Sequence, residues 1–196
     1  MGTPGERLPP RGSARVTGTS FILALAGAPS SGKTTIARSI ATDTGATHVS
    51  FGDFIRGEAG PRHMKTDRSA LQALGATLLE ALGPRDFCER ALSSAGVTMS
   101  TRPVVWDGVR HVPVLDELRG LYAPAPVTFV VLAPPEQARR QRFSAAASSI
   151  EELNAWESHE SESQLAQLIA QADLVCDAPS AEAATREILG MLENGK

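Results

Sequence analysis

Cysteine is scarce in the 196-residue sequence: only Cys88 and Cys176 occur, without Cys-x-x-Cys spacing and with no histidine cluster beside them. A disulfide framework and a Cys/His zinc site are thereby excluded, and a reducing, cytoplasmic setting is the default expectation. Long apolar runs are also missing. The longest, around Phe21 to Ala28, is far too short to span a bilayer, and the opening stretch MGTPGERLPPRGSARVTGTS lacks the apolar core of a secretory signal. Met1-Gly2 begins like a myristoylation site, but Glu6 stands where that motif requires Ser or Thr. A basic surplus is absent: the formal charge is -3 and the pI about 5.8. Nothing is left over to displace counterions from a polyanion, which argues against a nucleic-acid or membrane partner and for a small molecule. No internal repeat is found.

What is present is the signature of one compact α/β domain. Residues 1–18 are rich in Pro, Gly and Arg and show no periodicity, which predicts a flexible N-terminal tail ahead of a single domain over 19–196. From there apolar runs alternate with helical patterns: FILALAG, TTIARSIATDTG, THVSF, a long helical region from Asp67, RPVVWDG, VPVLDELRGLY, PVTFVVLAP, more helix, ADLVCDA and a final helix. That order predicts a three-layer α/β fold around a parallel sheet. Asp67 is placed to cap a helix carrying Leu71, Leu74, Leu78 and Leu82, which Gly83-Pro84 should end. Ser149 with Glu152 makes a capping-box pattern for a helix with Leu153, Trp156, Leu165, Leu168 and Ile169. Ala184, Ile188, Met191 and Leu192 share a face after Ser180.

The strongest motif is GAPSSGKT, Gly27 to Thr34, which satisfies Gly-x4-Gly-Lys-Ser/Thr, follows a buried-strand pattern and opens a helix. Gly27 and Gly32 permit the tight backbone path, and the amides of the loop through Ser30, Ser31 and Thr35, together with the helix N-terminus, suit a polyphosphate. Lys33 should bridge the β- and γ-phosphates of ATP, and Thr34 should ligate magnesium. Only three lysines occur against sixteen arginines, so a lysine at the one position that wants a compact point charge adds to the case. The run Val104-Val105-Trp106 delivers Asp107 to the carboxyl edge of the sheet beside the loop, where open α/β sheets bind ligands, which makes it a second candidate for magnesium.

Three further stretches resemble nucleoside monophosphate kinases, the adenylate-kinase-like branch of phosphate-loop enzymes. VSFGDFIRGEA is similar to the acceptor segment in which Ser-x-Gly-Asp precedes a phosphate-holding arginine, matching Ser50, Gly52, Asp53 and Arg56. VVWDGVRHVPVLDEL resembles the family strand that supplies a second arginine, here Arg110. Its Asp-Gly-Val-Arg spacing is closer to dephospho-coenzyme A kinase-like and phage deoxynucleoside monophosphate kinase-like proteins. DRSALQALGATLLEAL resembles the R-x-x-L-Q-x-L-G helix of the deoxynucleotide-kinase-like group, with Arg68, Leu71, Gln72 and Gly75 matching; the Gln72 amide offers both a donor and an acceptor to a base edge.

The resemblance implies an acceptor-binding insertion over about 51–100, a short lid over about 139–160, and Arg139 and Arg142 as stabilisers of developing charge. Those two arginines lie three apart on one helical face. The next stretch, SAAASSIEELNAWESHESESQ, contains no Arg or Lys where the family continues with more. The implied activity is ATP- and magnesium-dependent phosphoryl transfer to a nucleoside or deoxynucleoside monophosphate, by a monomer or homodimer. Two alternatives stand beside it. One is a kinase for a hydroxyl acceptor such as dephospho-coenzyme A or a nucleoside, with Asp53 or Asp107 as base; the other is a nucleotide-binding regulatory protein with a degenerate lid.

Overall fold

The computed structural model describes residues 20–145 and 159–194, with the side chains of 142–145 and 159–163 left aside. Five parallel strands form one sheet in the order β2-β3-β1-β4-β5. They are β1 (Ile22–Gly27), β2 (Thr47–Ser50), β3 (Val104–Val109), β4 (Thr128–Leu132) and β5 (Leu174–Cys176). The central strand is apolar at every position because both of its faces are covered. Ile22, Ala24 and Ala26 belong to one core cluster and Leu23 and Leu25 to the other, as period-2 alternation requires.

The face of Leu23 and Leu25 is packed by α1 (Lys33–Thr44), through Ile36, Ala37 and Ile40, and by α7 (Ala181–Asn194), through Ala184 and Ile188. Ser180 caps α7 by accepting the Ala183 N–H at 3.1 Å. The opposite face carries α2 (Phe51–Ala59), α3 (Arg68–Ser94), α4 (Val112–Tyr122) and Leu168 of α6 (His159–Ile169). Two helix layers around a parallel sheet give the predicted three-layer phosphate-loop kinase fold. The helix α5 (Glu136–Ala145) follows β4. Among the described residues no helix is long and apolar enough to cross a membrane.

Local expectations are met where they can be compared. Asp67 caps α3 by accepting the Ala70 N–H at 3.0 Å, and Leu74 and Leu78 are buried. The helix does break at Gly83, whose φ of 73° and ψ of 165° are not helical, but Pro84 starts a continuation that runs on to Ser94 and buries Phe87, Cys88, Ala91 and Leu92. Proline suits that position, since the first turn needs no N–H donor. The tail over 1–18, the Ser149–Glu152 cap and Trp156 lie outside the described residues.

The chain leaves β1 for β2 and β3 on one side, then crosses to β4 and β5 on the other, so the sheet has its switch point at β1. The crevice beyond the carboxyl ends of β1 and its neighbours is where such sheets take ligands. Trp106 of β3 anchors the wall below it. Fully buried, it packs against Phe51 in a tilted pair with ring centroids 5.2 Å apart and donates its indole N–H to the Tyr122 hydroxyl at 3.2 Å. Trp106→Ala is expected to lower stability by about 3–5 kcal/mol in urea unfolding, through the cavity and the lost packing.

Candidate active site

The loop after β1 is built around two glycines that no other residue replaces. A Cβ on Gly27 (φ 141°) would sit 2.4 Å from the Leu132 carbonyl oxygen of β4, and Gly32 turns into α1 at φ 93°. Ser30 also takes a positive φ, of 57°. These turns aim the first amides of α1 into the crevice. The Lys33 side chain folds back over the loop, donating to the Gly27 and Ala28 carbonyls at 2.8 Å each and to Ser31 Oγ at 3.4 Å. Desolvation there, joined by the charge of Arg110 and then Arg68 and opposed by Asp107, lowers the ammonium to about 7. A cation so poised is relieved by an arriving anion.

Asp107 is 3% exposed and receives two donors on the same oxygen: Thr34 Oγ1 at 2.7 Å and His48 Nε2 at 3.4 Å. Burial pushes its carboxyl up, but the hydrogen bonds from His48 and Thr34 and the charge of Lys33 outweigh that and leave it below the ordinary carboxylate value. The carboxylate and the Thr34 hydroxyl are hard oxygen donors side by side, a set that fits magnesium held partly by substrate phosphates. Among the described residues no group of three or more His, Cys, Asp or Glu side chains gathers to hold a metal without such help.

A one-residue bulge places the next functional group. Along β1 and β3 the partners run Ala24 with Trp106 and Leu25 with Asp107, then skip Gly108, so that Ala26 faces Val109. Gly108 takes φ 93° to allow this. Without the skip Val109 would fall on the face of Asp107 and Arg110 on the core face; with it Val109 is 1% exposed in the core and Arg110 emerges beside Asp107. Arg110 is exposed along part of its length, but the atoms packed around its guanidinium partly desolvate it and, with the charge of Arg68, lower it against the pull of Asp107. The following His111 is likewise lowered, by burial and by Arg110.

The candidate residues thus divide. Gly27, Ser31, Gly32, Lys33, Thr34, Asp107 and Arg110 gather at the crevice, with Arg68 at the start of α3 close enough for its charge to reach both Lys33 and Arg110. Among the described residues no contact brings Arg56 to Arg110: it is half exposed and ion-paired with Asp53, one turn back on α2, and Asp53 also lies 3.9 Å from Arg38 of α1. Gln72 is exposed one turn beyond Arg68, and Thr35 is exposed on α1. Arg139 is partly buried on α5, and Arg142 follows three residues later on that helix. His48 and a charge role for Arg68 were not anticipated. A histidine in THVS has no signal of its own until β2 is known to lie beside Asp107.

Comparison with known proteins follows this geometry. The family model described as an AAA domain matches residues 26–159. No curated protein matches the sequence. Among solved structures, a sugar kinase from Janibacter sp. HTCC2649 is 22% identical, covers 89% of this chain and 95% of its own, and superposes with a TM-score of 0.50. Shikimate kinase from Acinetobacter baumannii in complex with shikimate is 18% identical over 91% and 96%, with a TM-score of 0.54. Shikimate kinase from Aquifex aeolicus is 14% identical over 89% and 98%, with a TM-score of 0.52. At these identities the likeness is one of fold, and it meets the sequence resemblance at the level of a phosphate-loop kinase fold.

Two outcomes follow from the geometry. Polyphosphate binding favours the charged form of Lys33, whose free value lies near 7. ATP affinity is therefore expected to be flat in this contribution below pH 7 and to weaken above it, by up to about tenfold per unit, with proton uptake near pH 8 in calorimetry. A flat profile from pH 7 to 9 would contradict the assignment. At Gly108 a Cβ meets nothing within 4 Å, so a side chain there suffers from φ alone. Gly108→Val should destabilise by about 1–3 kcal/mol and Gly108→Asn by clearly less, measured by urea unfolding.

Proposed function

The chain belongs to the AAA domain family, and from that membership and the charge pattern of the crevice we propose that it is an ATP- and magnesium-dependent phosphotransferase acting on a small anionic acceptor, a nucleoside or deoxynucleoside monophosphate. The observation that carries this reading is the crowding of Lys33, Arg110 and Arg68, where Asp107 acts on Lys33 and Arg110 and the charge of Arg68 reaches both of them. Like charges this close disfavour one another, and two phosphate groups arriving side by side would offset that.

In this reading the loop amides and Lys33 hold the donor, and Thr34 and Asp107 hold the metal, which when bound neutralises charge on the β- and γ-phosphates. Arg110 and Arg68 hold the acceptor anion against the repulsion of the donor. Arg56 joins them on leaving Asp53, and Arg139 and Arg142 of the lid would stabilise the developing charge. A monophosphate acceptor is already an anionic nucleophile near neutral pH, so positioning is the main task. Residues about 51–100 would form the acceptor side and about 139–160 the lid.

A second reading, transfer to a hydroxyl of a small acid or sugar, draws on the exposed carboxylate of Asp53 at the mouth of α2 and on the fold shared with shikimate and sugar kinases. Incubation with magnesium-ATP and a panel of nucleoside monophosphates, deoxynucleotides, nucleosides, dephospho-coenzyme A and shikimate separates the two, with Lys33→Ala as control. ADP release only with monophosphates is the expected result; transfer only to hydroxyl acceptors sinks the proposal, and tight ATP binding without turnover points to a regulatory nucleotide binder. Arg110→Ala should raise the acceptor KM or lower kcat about tenfold or more while ATP affinity changes little.

A further inference from the structure

We infer that His48 is a positioning residue that sets the orientation of the Asp107 carboxylate for magnesium, a role that rests on the reading of Thr34 and Asp107 as the metal's protein ligands. The strand register creates it. In the parallel pair of β2 and β3, His48 lies opposite Val105 and Ser50 opposite Asp107, so His48 sits two residues before Asp107 on the same face, the one covered by α1. From there its Nε2 reaches Asp107 Oδ2 at 3.4 Å, with the ring 17% exposed.

The ring's tautomer follows from the acceptor. An ionised carboxylate offers no proton, so Nε2 carries the hydrogen and donates it. Ser50, although directly opposite Asp107, is otherwise engaged: its Oγ accepts the Asp53 N–H at 3.1 Å and caps α2. Among the described residues Thr34 and His48 are therefore the two side chains that donate to Asp107, one from α1 and one from β2.

Both donors end on Oδ2, and no described residue donates to Oδ1. The carboxylate torsion of aspartate is intrinsically broad, so a single donor would leave the plane free to turn. Two donors from separate elements pin Oδ2 and turn Oδ1 outward as the free acceptor. Asp107 is the only carboxylate among the described residues within reach of the Thr34 hydroxyl. Its orientation thus decides whether a magnesium ion, or a water on it, meets an oxygen there. Outer partners of this kind typically govern about 10- to 100-fold in metal affinity.

The test uses the full chain and needs no acceptor. Magnesium is titrated calorimetrically in the presence of a non-hydrolysable ATP analogue, and analogue affinity is measured again in EDTA. His48→Phe keeps the ring volume without the donor, and His48→Gln restores an N–H at similar reach. Expected is a loss of about tenfold or more in magnesium-dependent affinity for His48→Phe, unchanged affinity in EDTA, and recovery to within about threefold in His48→Gln. Where the Phe variant does not fold, His48→Leu takes its place. Wild-type magnesium affinity in the donor-free variant overturns the inference, as does an equal loss in EDTA or a folded Gln variant no better than Phe. A wild-type chain whose analogue affinity ignores magnesium overturns the metal reading itself, whereas a failed acceptor panel touches neither result.

Discussion

The hydrogen bond from the Thr34 hydroxyl to the buried Asp107 carboxylate, 2.7 Å long, ties the phosphate-loop helix to the neighbouring strand. The crevice keeps its shape through this link. It spans 73 residues of sequence, so it forms only once β3 has been inserted between β1 and β2. Every other polar group of the site is arranged with respect to it: Lys33 feels the same carboxylate, His48 reaches it from the far strand, and Arg110 stands three residues beyond. A neutral residue at position 107 would remove the carboxylate whose charge acts on both Lys33 and Arg110.

The loop also supplies partners for its own lysine. The Lys33 ammonium donates to the loop's carbonyls and to Ser31. The interaction is local and holds the loop in shape. It also keeps the lysine partly dehydrated, which is why its proton is loosely held, and a phosphate would recruit the ammonium by offering a stronger acceptor than a peptide carbonyl.

Much of the fold was legible in the sequence because its causes are local. The apolar runs, Asp67 as a cap, and the loop glycines each act within a few residues. The placement of Asp107 followed from the simple rule that the end of a core strand meets the ligand edge. What escaped depends on register. Gly108 looks like an ordinary turn glycine until Ala26 is seen to face Val109, and only then does the Asp-Gly-Val-Arg spacing acquire its meaning. His48 became a site residue through a neighbour 59 positions away. Arg56 matched a motif, yet it is ion-paired with the carboxylate one turn behind it, a local contact that the motif does not encode.

The break at Gly83 divides α3 between two mechanical duties. The segment from Arg68 to Leu82 rides on α2, where a Cβ on Gly75 would press within 2.9 Å of Ile55, while the segment from Pro84 to Ser94 is sunk into the sheet through Phe87, Cys88, Ala91 and Leu92. An uninterrupted helix of this length would act as a stiff rod and carry any tilt at its exposed end into the core. With its hydrogen-bond ladder interrupted, the helix has a compliant joint. Across that joint α2 is the bridge, its Phe51 and Phe54 packing on Phe87 and its Phe51 on Trp106.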